Sequence, residues 1–230
     1  MALNVVGTID EKVRIRTALV SVWDKSGLDS LVKGLVAACP GVRIISTGGT
    51  HAAIEKVLGP EAPKILQQVS RYTGQPEMQG GLVKTLDFKI YLGLLSETYN
   101  PAHNADLART GALAIDMVVV NLYPFEKSIS AADATAESAR GNIDIGGPCM
   151  TRAAAKNFHR VAAVTDPADY PGIVEELAAH GGALSLATRF RLAGKAFRLT
   201  ARYDAAIAGY LESLSFDHMR SCYEVKGGGR

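Results

Sequence analysis

Cysteine is scarce in this 230-residue sequence, and the three cysteines that it has are far apart. Cys39, Cys149 and Cys222 are odd in number and form no CxxC pair, which argues against a disulfide framework and against a cysteine metal knuckle. Cysteine usage of this kind is typical of a reducing compartment, so we expect a cytoplasmic protein.

Long apolar runs and an excess of one charge are also missing. No stretch approaches the roughly 18 uncharged apolar residues of a membrane span, and Asp10, Glu11 and Lys12 interrupt the N-terminus, which therefore lacks the apolar core of a signal peptide. The 25 Lys and Arg residues against 23 Asp and Glu leave a formal charge of +2. This is too near balance for the basic surface of a nucleic-acid binder. We expect neither a membrane nor a nucleic acid as partner, and any anion site to be local.

The motifs of several enzyme classes are absent from the sequence. The five histidines (51, 103, 159, 180 and 218) have no HxxxH spacing, so we expect no metal. There is no Walker A motif, no GxGxxG and no GxSxG elbow. The chemistry must therefore come from less regular groups of residues.

What the sequence does contain is an alternation of short apolar runs and longer helical patterns, which is typical of parallel βα units. Apolar residues at i, i+3 and i+4 over 28–36 predict an amphipathic helix. Six runs are predicted to be strands: 17–22, 42–46, 64–69, 91–95, 116–122 and 160–166. They favour an α/β fold with a doubly wound sheet.

The composition changes after Asp166. Residues 167–180 and 184–213 are rich in Ala, Leu, Arg and Glu, which predicts two helices, the second interrupted near Gly194. We interpret 167–213 as a helical layer on one domain that spans 16–213. An N-terminal extension (1–15) and a C-terminal tail (214–230) complete the predicted organisation.

A glycine-rich turn follows the second predicted strand and opens a helix. In this turn, Thr47, Gly48, Gly49 and Thr50 combine hydroxyl groups with a backbone that an anion can approach closely. Helix N–H groups and the helix dipole converge at such a point, so the turn is a candidate phosphate site. A capped turn without a ligand is the alternative.

The first predicted strand ends at the same edge of the sheet, because parallel strands share the direction of their carboxyl ends. Ser21 and Lys25 would place a hydroxyl and an ammonium there, next to the only tryptophan, Trp23. The alternatives are a solvated lysine and a tryptophan that only packs.

Further polar groups follow a glycine pair or a predicted strand. Lys84 can neutralise an oxyanion or bind phosphate, and Thr85 adds a hydroxyl. Asn121 and Tyr123 follow the most β-branched run, although Tyr123 is equally consistent with a packing corner. Asp144 lies between two isoleucines and ahead of two glycines, so its pKa is expected to be raised and it is a candidate base.

Five motifs occur in a specific order: SVWDKSGL, STGGT, YTGQPEMQGGLVKTL, VVVNLYPF and IDIGGPCMTRAAAKN. Over about residues 16–210 the chain resembles the IMP cyclohydrolase domain of the bifunctional purine-biosynthesis enzyme that also carries a formyltransferase domain. The resemblance implies a methylglyoxal-synthase-like parallel sheet flanked by helices, with a C-terminal helical extension. It also implies a homodimer that converts a purine ribotide, 5-formamidoimidazole-4-carboxamide ribotide, to inosine monophosphate. No cofactor is implied.

The resemblance also implies which residues form the site. Those implied at the 5′-phosphate are Ser21, Lys25, Thr47, Gly48, Gly49, Thr50 and Thr85. Those implied around the base are Asn121, Tyr123, Asp144 and Lys156, with Lys84 near both ends and Trp23, Ile145, Gly146 and Gly147 as further substrate contacts.

Four of these residues are implied to be catalytic. Lys84 would stabilise the formyl oxygen, Tyr123 would donate a proton and Asp144 would accept one. Lys156 would orient the carboxamide or Asp144. It lies about 18 Å from Asp144 along a straight helix, so this pairing rests on the resemblance alone.

The sequence departs from the family pattern at several positions. Leu82 replaces an arginine, Asp87 and Phe88 replace His-Pro, and Trp23 replaces a small hydroxyl residue, which is expected to reshape the phosphate pocket. The sequence also ends where the formyltransferase domain would begin. We therefore expect ring closure without formyl transfer, and a separate formyltransferase upstream.

Two alternatives remain. A methylglyoxal synthase, which eliminates phosphate from a triose, is disfavoured because NLYPF and RAAAKN have no role in that chemistry. A non-catalytic nucleotide-sensing module of the same fold would bind nucleotide without turnover, and would not need the four catalytic residues.

Overall fold

A five-stranded parallel sheet is the centre of the computed structural model, which describes residues 5–75 and 84–227. Its strands are β2 (Thr17–Val22), β3 (Arg43–Ser46), β4 (Leu66–Gln68), β5 (Met117–Asn121) and β6 (Ala162–Val164). They lie side by side in the order β4-β3-β2-β5-β6, and every pair is parallel. A separate antiparallel pair joins β1 (Lys12–Arg14) to β7 (Ala183–Ser185).

Helices connect the strands and cover both faces of the sheet. In the described part of the chain they are α1 (Leu28–Ala38), α2 (Gly48–Leu58), α3 (Ala62–Ile65), α4 (Val69–Thr73), α5 (Phe88–Leu95), α6 (Pro101–Thr110), α7 (Phe125–Ile129), α8 (Ala136–Gly141), α9 (Gly146–Lys156), α10 (Tyr170–Ala179), α11 (Leu186–Ser213) and α12 (Phe216–Ser221). Short 3-10 turns occur at Gly59–Glu61 and Pro167–Asp169.

The central strands are mostly apolar, and both of their faces are buried. In β2, Ala18 and Val20 enter a core that includes α1 and α10 residues, whereas Leu19 enters a second core with α5, α9 and α11 residues. Successive side chains of a strand point to opposite faces, so one apolar run fills both cores. The predicted α/β class, with helices on both faces and a helical C-terminal region, is confirmed.

One of the six predicted strands is wrong. Residues 91–95 lie in α5, where Ile90 and Leu94 are buried four positions apart. The side chain of Asp87 accepts a hydrogen bond from the Lys89 N–H at 2.8 Å and so caps the start of this helix. The run at 64–69 is a strand only at Leu66–Gln68.

The C-terminal region has the two predicted helices, with strand β7 between them. α11 passes through Gly194 without the predicted interruption. Its neighbours Leu192, Ala193 and Ala196 are buried, and this packing outweighs the low helix propensity of one glycine. The boundaries at 15 and 213 stay predictions.

The described ranges contain neither a membrane-spanning helix nor a cluster of metal ligands. Within residues 5–75 and 84–227, no helix is long and apolar enough to cross a membrane. The same ranges hold no group of three or more His, Cys, Asp or Glu side chains that is arranged for a metal ion. The three cysteines are free.

Candidate functional site

A cleft of about 510 Å³ opens beside the carboxyl ends of β2, β3 and β5. Fifteen of the sixteen predicted site residues line it: Ser21, Trp23, Lys25, Thr47, Gly48, Gly49, Thr50, Lys84, Thr85, Asn121, Tyr123, Asp144, Ile145, Gly146 and Gly147. Its lining also includes residues that the sequence did not single out, namely Val22, Val120, Gly141, Asn142, Ile143 and Met150. The topology brings these separate segments together because parallel strands end at one edge.

One end of the cleft is suited to an anion. α2 begins there at Gly48, whose φ is +35°, and the first N–H groups of a helix have no acceptor within it. The Ser21 and Thr47 hydroxyl oxygens lie 2.8 Å apart beside this helix end. The Lys84 Nζ would lie only 3.6 Å from a Cβ placed on Gly48, so a positive charge adjoins the same point.

Thr50 differs from the other hydroxyl residues of this turn. Its Oγ1 accepts a hydrogen bond from the Val22 N–H at 3.0 Å and donates one to the Val22 carbonyl at 2.9 Å. The hydroxyl proton is therefore used within the protein. Thr50 fastens α2 to the end of β2, and a hydroxyl contact with an anion falls to Ser21 and Thr47 instead.

The side chain of Asn121 holds the loop that follows β2. Its Oδ1 accepts hydrogen bonds from the Trp23 and Asp24 N–H groups at 2.7 and 2.9 Å, and its Nδ2 donates to the Asp24 carbonyl at 2.8 Å. Asn121 reaches this loop because β5 pairs with β2 and places it opposite Val22. Lys25 lies on the same loop, is exposed, and is 3.4 Å from the Trp23 carbonyl oxygen.

An aromatic pair forms another part of the cleft wall. Trp23 and Tyr123 meet edge to face, with ring centroids 5.2 Å apart. Lys127 Nζ lies 5.7 Å from the centre of the indole ring, within the range of a cation–π contact. Trp23 thus contacts Tyr123, a predicted catalytic residue.

Asp144 is a half-buried carboxylate just before the start of α9. Its Oδ1 accepts a hydrogen bond from the Gly147 N–H at 3.0 Å. Burial raises the pKa of Asp144, and the N–H groups of Gly147 and Gly146 oppose part of that rise. A Cβ on Gly147 would collide with Asp144 Oδ2 and Leu122, and one on Gly146 would lie 2.6 Å from Thr85 Oγ1. The two glycines therefore allow the helix to begin against these side chains.

Tyr203, which was not among the predicted site residues, holds the backbone of Asp144. The Asp144 N–H donates a hydrogen bond to Tyr203 Oη at 2.8 Å, and Tyr203 lies on α11, 59 positions later in the chain. No motif surrounds this tyrosine in the long helix. Only the packing of α11 against α9 and α7 brings it near the cleft.

Lys156 is the one predicted site residue that the structure does not bring to the cleft. It is exposed at the last position of α9, about 15 Å from Gly146 at 1.5 Å per residue. Asp144 comes two positions before α9 and Lys156 is its last residue, so the length of the helix separates them and the structure shows no pairing between these two described residues. The departure at Leu82 lies outside the described residues.

Comparison with known proteins gives the family. Residues 27–149 match the family model described as the MGS-like domain, which is more than half of the chain. The chain belongs to the MGS-like domain family. Residues 154–227 match a second model, described as AICARFT/IMPCHase bienzyme, so the part of the chain after the MGS-like domain is similar to that bifunctional enzyme. The resemblance found in the five motifs is thereby confirmed.

Two curated relatives of this MGS-like chain are named bifunctional purine biosynthesis protein PurH. The protein of Chlorobium phaeovibrioides is 50% identical over 197 residues, which are 86% of this chain and 36% of the relative. The protein of Neisseria meningitidis is 47% identical over 211 residues, 92% of this chain and 38% of the relative. The chain thus spans less than two fifths of the length of these relatives.

A solved structure has the same fold. The crystal structure of ForH is 32% identical in sequence, with a TM-score of 0.70, and the match covers 84% of this chain and 97% of that one. The predicted methylglyoxal-synthase-like architecture is therefore confirmed in both sequence and structure.

Proposed function

We propose that this chain is an IMP cyclohydrolase. It would close 5-formamidoimidazole-4-carboxamide ribotide to inosine monophosphate with loss of water, the last step of de novo purine biosynthesis. The observation that carries this proposal is a single cleft lined by an anion-binding helix end and by Lys84, Tyr123 and Asp144. The PurH relatives support the same activity.

The ends of the cleft suggest how the ribotide binds. Its 5′-phosphate would lie at the N-terminus of α2, where backbone N–H groups donate to it. Ser21 and Thr47 are hydrogen-bonded to each other, so the one whose proton is not used in that bond would donate to the phosphate as well. The base would then lie toward the Trp23 and Tyr123 rings and Asp144. Lys84, close to Gly48, would lie between the phosphate and the reacting atoms.

The reaction is intramolecular, so holding the formyl carbon next to the carboxamide nitrogen supplies much of the rate enhancement. As the nitrogen attacks, Asp144 accepts its proton. The formyl oxygen gains charge beside the Lys84 ammonium and takes a proton from Tyr123. Asp144 then gives its proton to the resulting hydroxyl, which leaves as water. The formamido nitrogen gives its proton back to the Tyr123 oxygen, and the ring C=N bond forms.

The environment of Asp144 suits the role of a general base. A base acts best when its pKa is close to the working pH, and burial moves the pKa of this carboxyl upward from its ordinary value. The proposed reaction assigns no step to Lys156, which does not line the cleft.

The assembly and the substrate supply stay predictions. We expect a homodimer, since twofold assemblies are the commonest, and analytical ultracentrifugation measures this directly. The formylated ribotide must come from a formyl transfer, which a formyltransferase performs.

The decisive experiment adds the formamido ribotide to the purified protein and follows the ultraviolet absorbance of the purine product. We expect turnover, and Lys84→Ala should lower kcat about 100-fold. Lys33→Ala, at an exposed position of α1, is the matched control and should leave kcat unchanged.

Each other outcome has a defined meaning. A rate no higher than that of the uncatalysed reaction would contradict the proposal. Tight binding of inosine monophosphate without turnover would indicate a nucleotide-sensing module, and phosphate release from a triose phosphate would indicate a methylglyoxal synthase.

A further inference from the structure

Tyr203 joins the two parts of the chain that match different family models. It lies in the segment 154–227, whereas its hydrogen-bond partner Asp144 lies in the MGS-like segment 27–149. Tyr203 is 7% exposed, so water does not readily replace this contact. Burial raises the pKa of Tyr203, which keeps the phenol protonated near neutral pH.

The ring of Tyr203 also contacts the segment that follows Tyr123, the other residue proposed to transfer a proton. It meets Phe125 edge to face with centroids 6.3 Å apart, and Phe125 is buried two positions after Tyr123. Tyr210, two turns further along α11, packs on the same Phe125 ring at 5.8 Å. One side of α11 therefore contacts the loop that carries Tyr123 and the loop that carries Asp144.

We propose that Tyr203 is a positioning residue that sets the distance between Asp144 and Tyr123 across the cleft. The inference rests on the proposed function. Its hydroxyl holds the peptide N–H of Asp144 while its ring holds Phe125, so neither loop shifts without breaking a buried contact. A misplacement of about 1 Å at reacting groups lowers the rate about 100-fold, so the two contacts of Tyr203 matter for catalysis.

The position of the Asp144 carboxylate depends on Tyr203 because Tyr203 holds the backbone N–H of Asp144. Asp144 accepts the Gly147 N–H at the start of α9 while its own N–H is held by Tyr203. If the second bond is lost, the peptide can rotate and the carboxylate gains contact with water. Lys25, Lys84 and Tyr123 are the titratable groups that line the cleft with it, and Asp204 is a charged neighbour of Tyr203 on α11.

A matched pair of variants separates positioning from stability. Tyr203→Phe removes the hydroxyl that accepts the Asp144 N–H. Tyr72→Phe removes an equivalent hydroxyl, because Tyr72 Oη accepts the Leu113 N–H, also at 2.8 Å, and Tyr72 is 9% exposed on α4, outside the cleft. Each variant leaves one backbone N–H without its acceptor, so we expect similar falls in the thermal midpoint.

Only Tyr203→Phe should change catalysis. We expect its kcat for ring closure to fall about tenfold, with KM changed by less than about threefold, because the substrate contacts remain and the geometry of the base does not. The acid limb of its pH–rate profile should move to lower pH, since a more hydrated Asp144 loses part of the rise in pKa that burial causes. Tyr72→Phe should keep the kcat and the profile of the unmodified protein.

The opposite results overturn the inference. If Tyr203→Phe matches Tyr72→Phe in kcat and in pH profile, then Tyr203 has a structural role alone. If Tyr203→Phe does not fold, Phe125→Leu keeps the hydrogen bond, removes the ring contact, and should lower kcat with the same change in pH profile. An unchanged kcat in folded Phe125→Leu would then contradict the inference.

A second measurement keeps this inference separate from the proposed function. If the unmodified protein has no turnover at all, the proposed function fails. A carboxyl 13C NMR titration of Asp144 still tests whether Tyr203 positions this residue. A lower Asp144 pKa in Tyr203→Phe than in Tyr72→Phe supports positioning by Tyr203, and equal values overturn it.

Discussion

The polar residues of the cleft have different roles, and their hydrogen bonds decide which role each of them has. Ser21 and Thr47 lie side by side at the start of α2, where an anion can reach them. Thr50 and Asn121 line the same cleft but use their polar atoms on the backbone of residues 22–24. Substitutions of the second pair should therefore act on stability first.

Thr50 offers a direct test of this division. Thr50→Val leaves the buried N–H and carbonyl of Val22 without the hydroxyl, and we expect a loss of about 1–3 kcal/mol in the free energy of unfolding. Thr50→Ser keeps the hydroxyl and should lose less. Urea unfolding measures both, and equal losses would mean that the hydrogen bonds contribute little.

The half-buried carboxylate of Asp144 should lower stability while it serves catalysis. Its pKa is raised in the folded protein, so its contribution to stability is greatest at low pH and is lost as the pH rises through the folded pKa. Asp144→Asn removes the buried charge, and we expect a higher thermal midpoint at neutral pH together with a kcat lower by about 10²–10⁴. Calorimetry and initial rates measure the two effects.

A suitable control is Asp106→Asn, because Asp106 pairs with Arg109 on the exposed face of α6 and lies outside the cleft. It should change neither quantity appreciably. Normal turnover in Asp144→Asn would remove Asp144 from the role of base.

At the scale of elements, two helices were harder to predict than the strands around them. The apolar run 91–95 is compatible with a strand or a buried helix, and the capping by Asp87 together with the burial of Ile90 and Leu94 makes it helical. In α11 the glycine at 194 suggested a break, but the helix continues because its buried face packs against α9 and β6.

The space around helical glycines gives a prediction at this scale. A Cβ on Gly194 would meet no atom within 4 Å, so Gly194→Ala should stabilise the protein by about 0.5–1 kcal/mol through helix propensity. A Cβ on Gly34 of α1 would press against the Val174 side chain, with Cγ2 at 2.7 Å. We expect Gly34→Ala to destabilise instead. Chemical denaturation of both variants tests the contrast, and the same sign of change in both would refute it.

At the scale of the whole molecule, a buried ion pair ties the sheet together at the edge opposite the cleft. Asp116, just before β5, accepts hydrogen bonds from the Arg16 and Thr17 N–H groups at 2.9 and 3.0 Å. Arg160, before β6, reaches Asp116 Oδ1 at 3.2 Å and also donates to the Ser96 carbonyl at 2.8 Å. Burial raises the pKa of Asp116, while the neighbouring Arg160 charge opposes that rise.

Removal of this carboxylate should destabilise the fold strongly. Asp116→Ala leaves the Arg160 charge buried and unpaired, and we expect a loss of about 3–5 kcal/mol. Asp106→Ala, which breaks an exposed pair on α6, should cost less than about 1 kcal/mol. Guanidinium unfolding measures both, and a small effect of Asp116→Ala would mean that Arg160 finds other acceptors in the core.

The sequence alone determined the α/β class, the strands at 17–22, 42–46, 116–122 and 160–166, and the polar groups that follow three of them. These features are local: an apolar run, a glycine-rich turn, and the rule that parallel strands end at one edge. Fifteen of the sixteen predicted site residues line one cleft. The strand rule accounts for those that end or follow β2, β3 and β5, whereas Lys84, Thr85 and Asp144–Gly147 follow no strand in the described part of the chain and were grouped with them only by the family resemblance.

The tertiary structure alone decided which polar residues of the cleft use their polar atoms within the protein, and which residues outside the cleft hold them in place. The double hydrogen bond of Thr50, the clamp by Asn121 and the contact between Tyr203 and Asp144 join residues 28 to 98 positions apart, and no local pattern encodes such contacts. The position of Lys156 was likewise settled by helix geometry, because a straight α9 carries it away from the cleft.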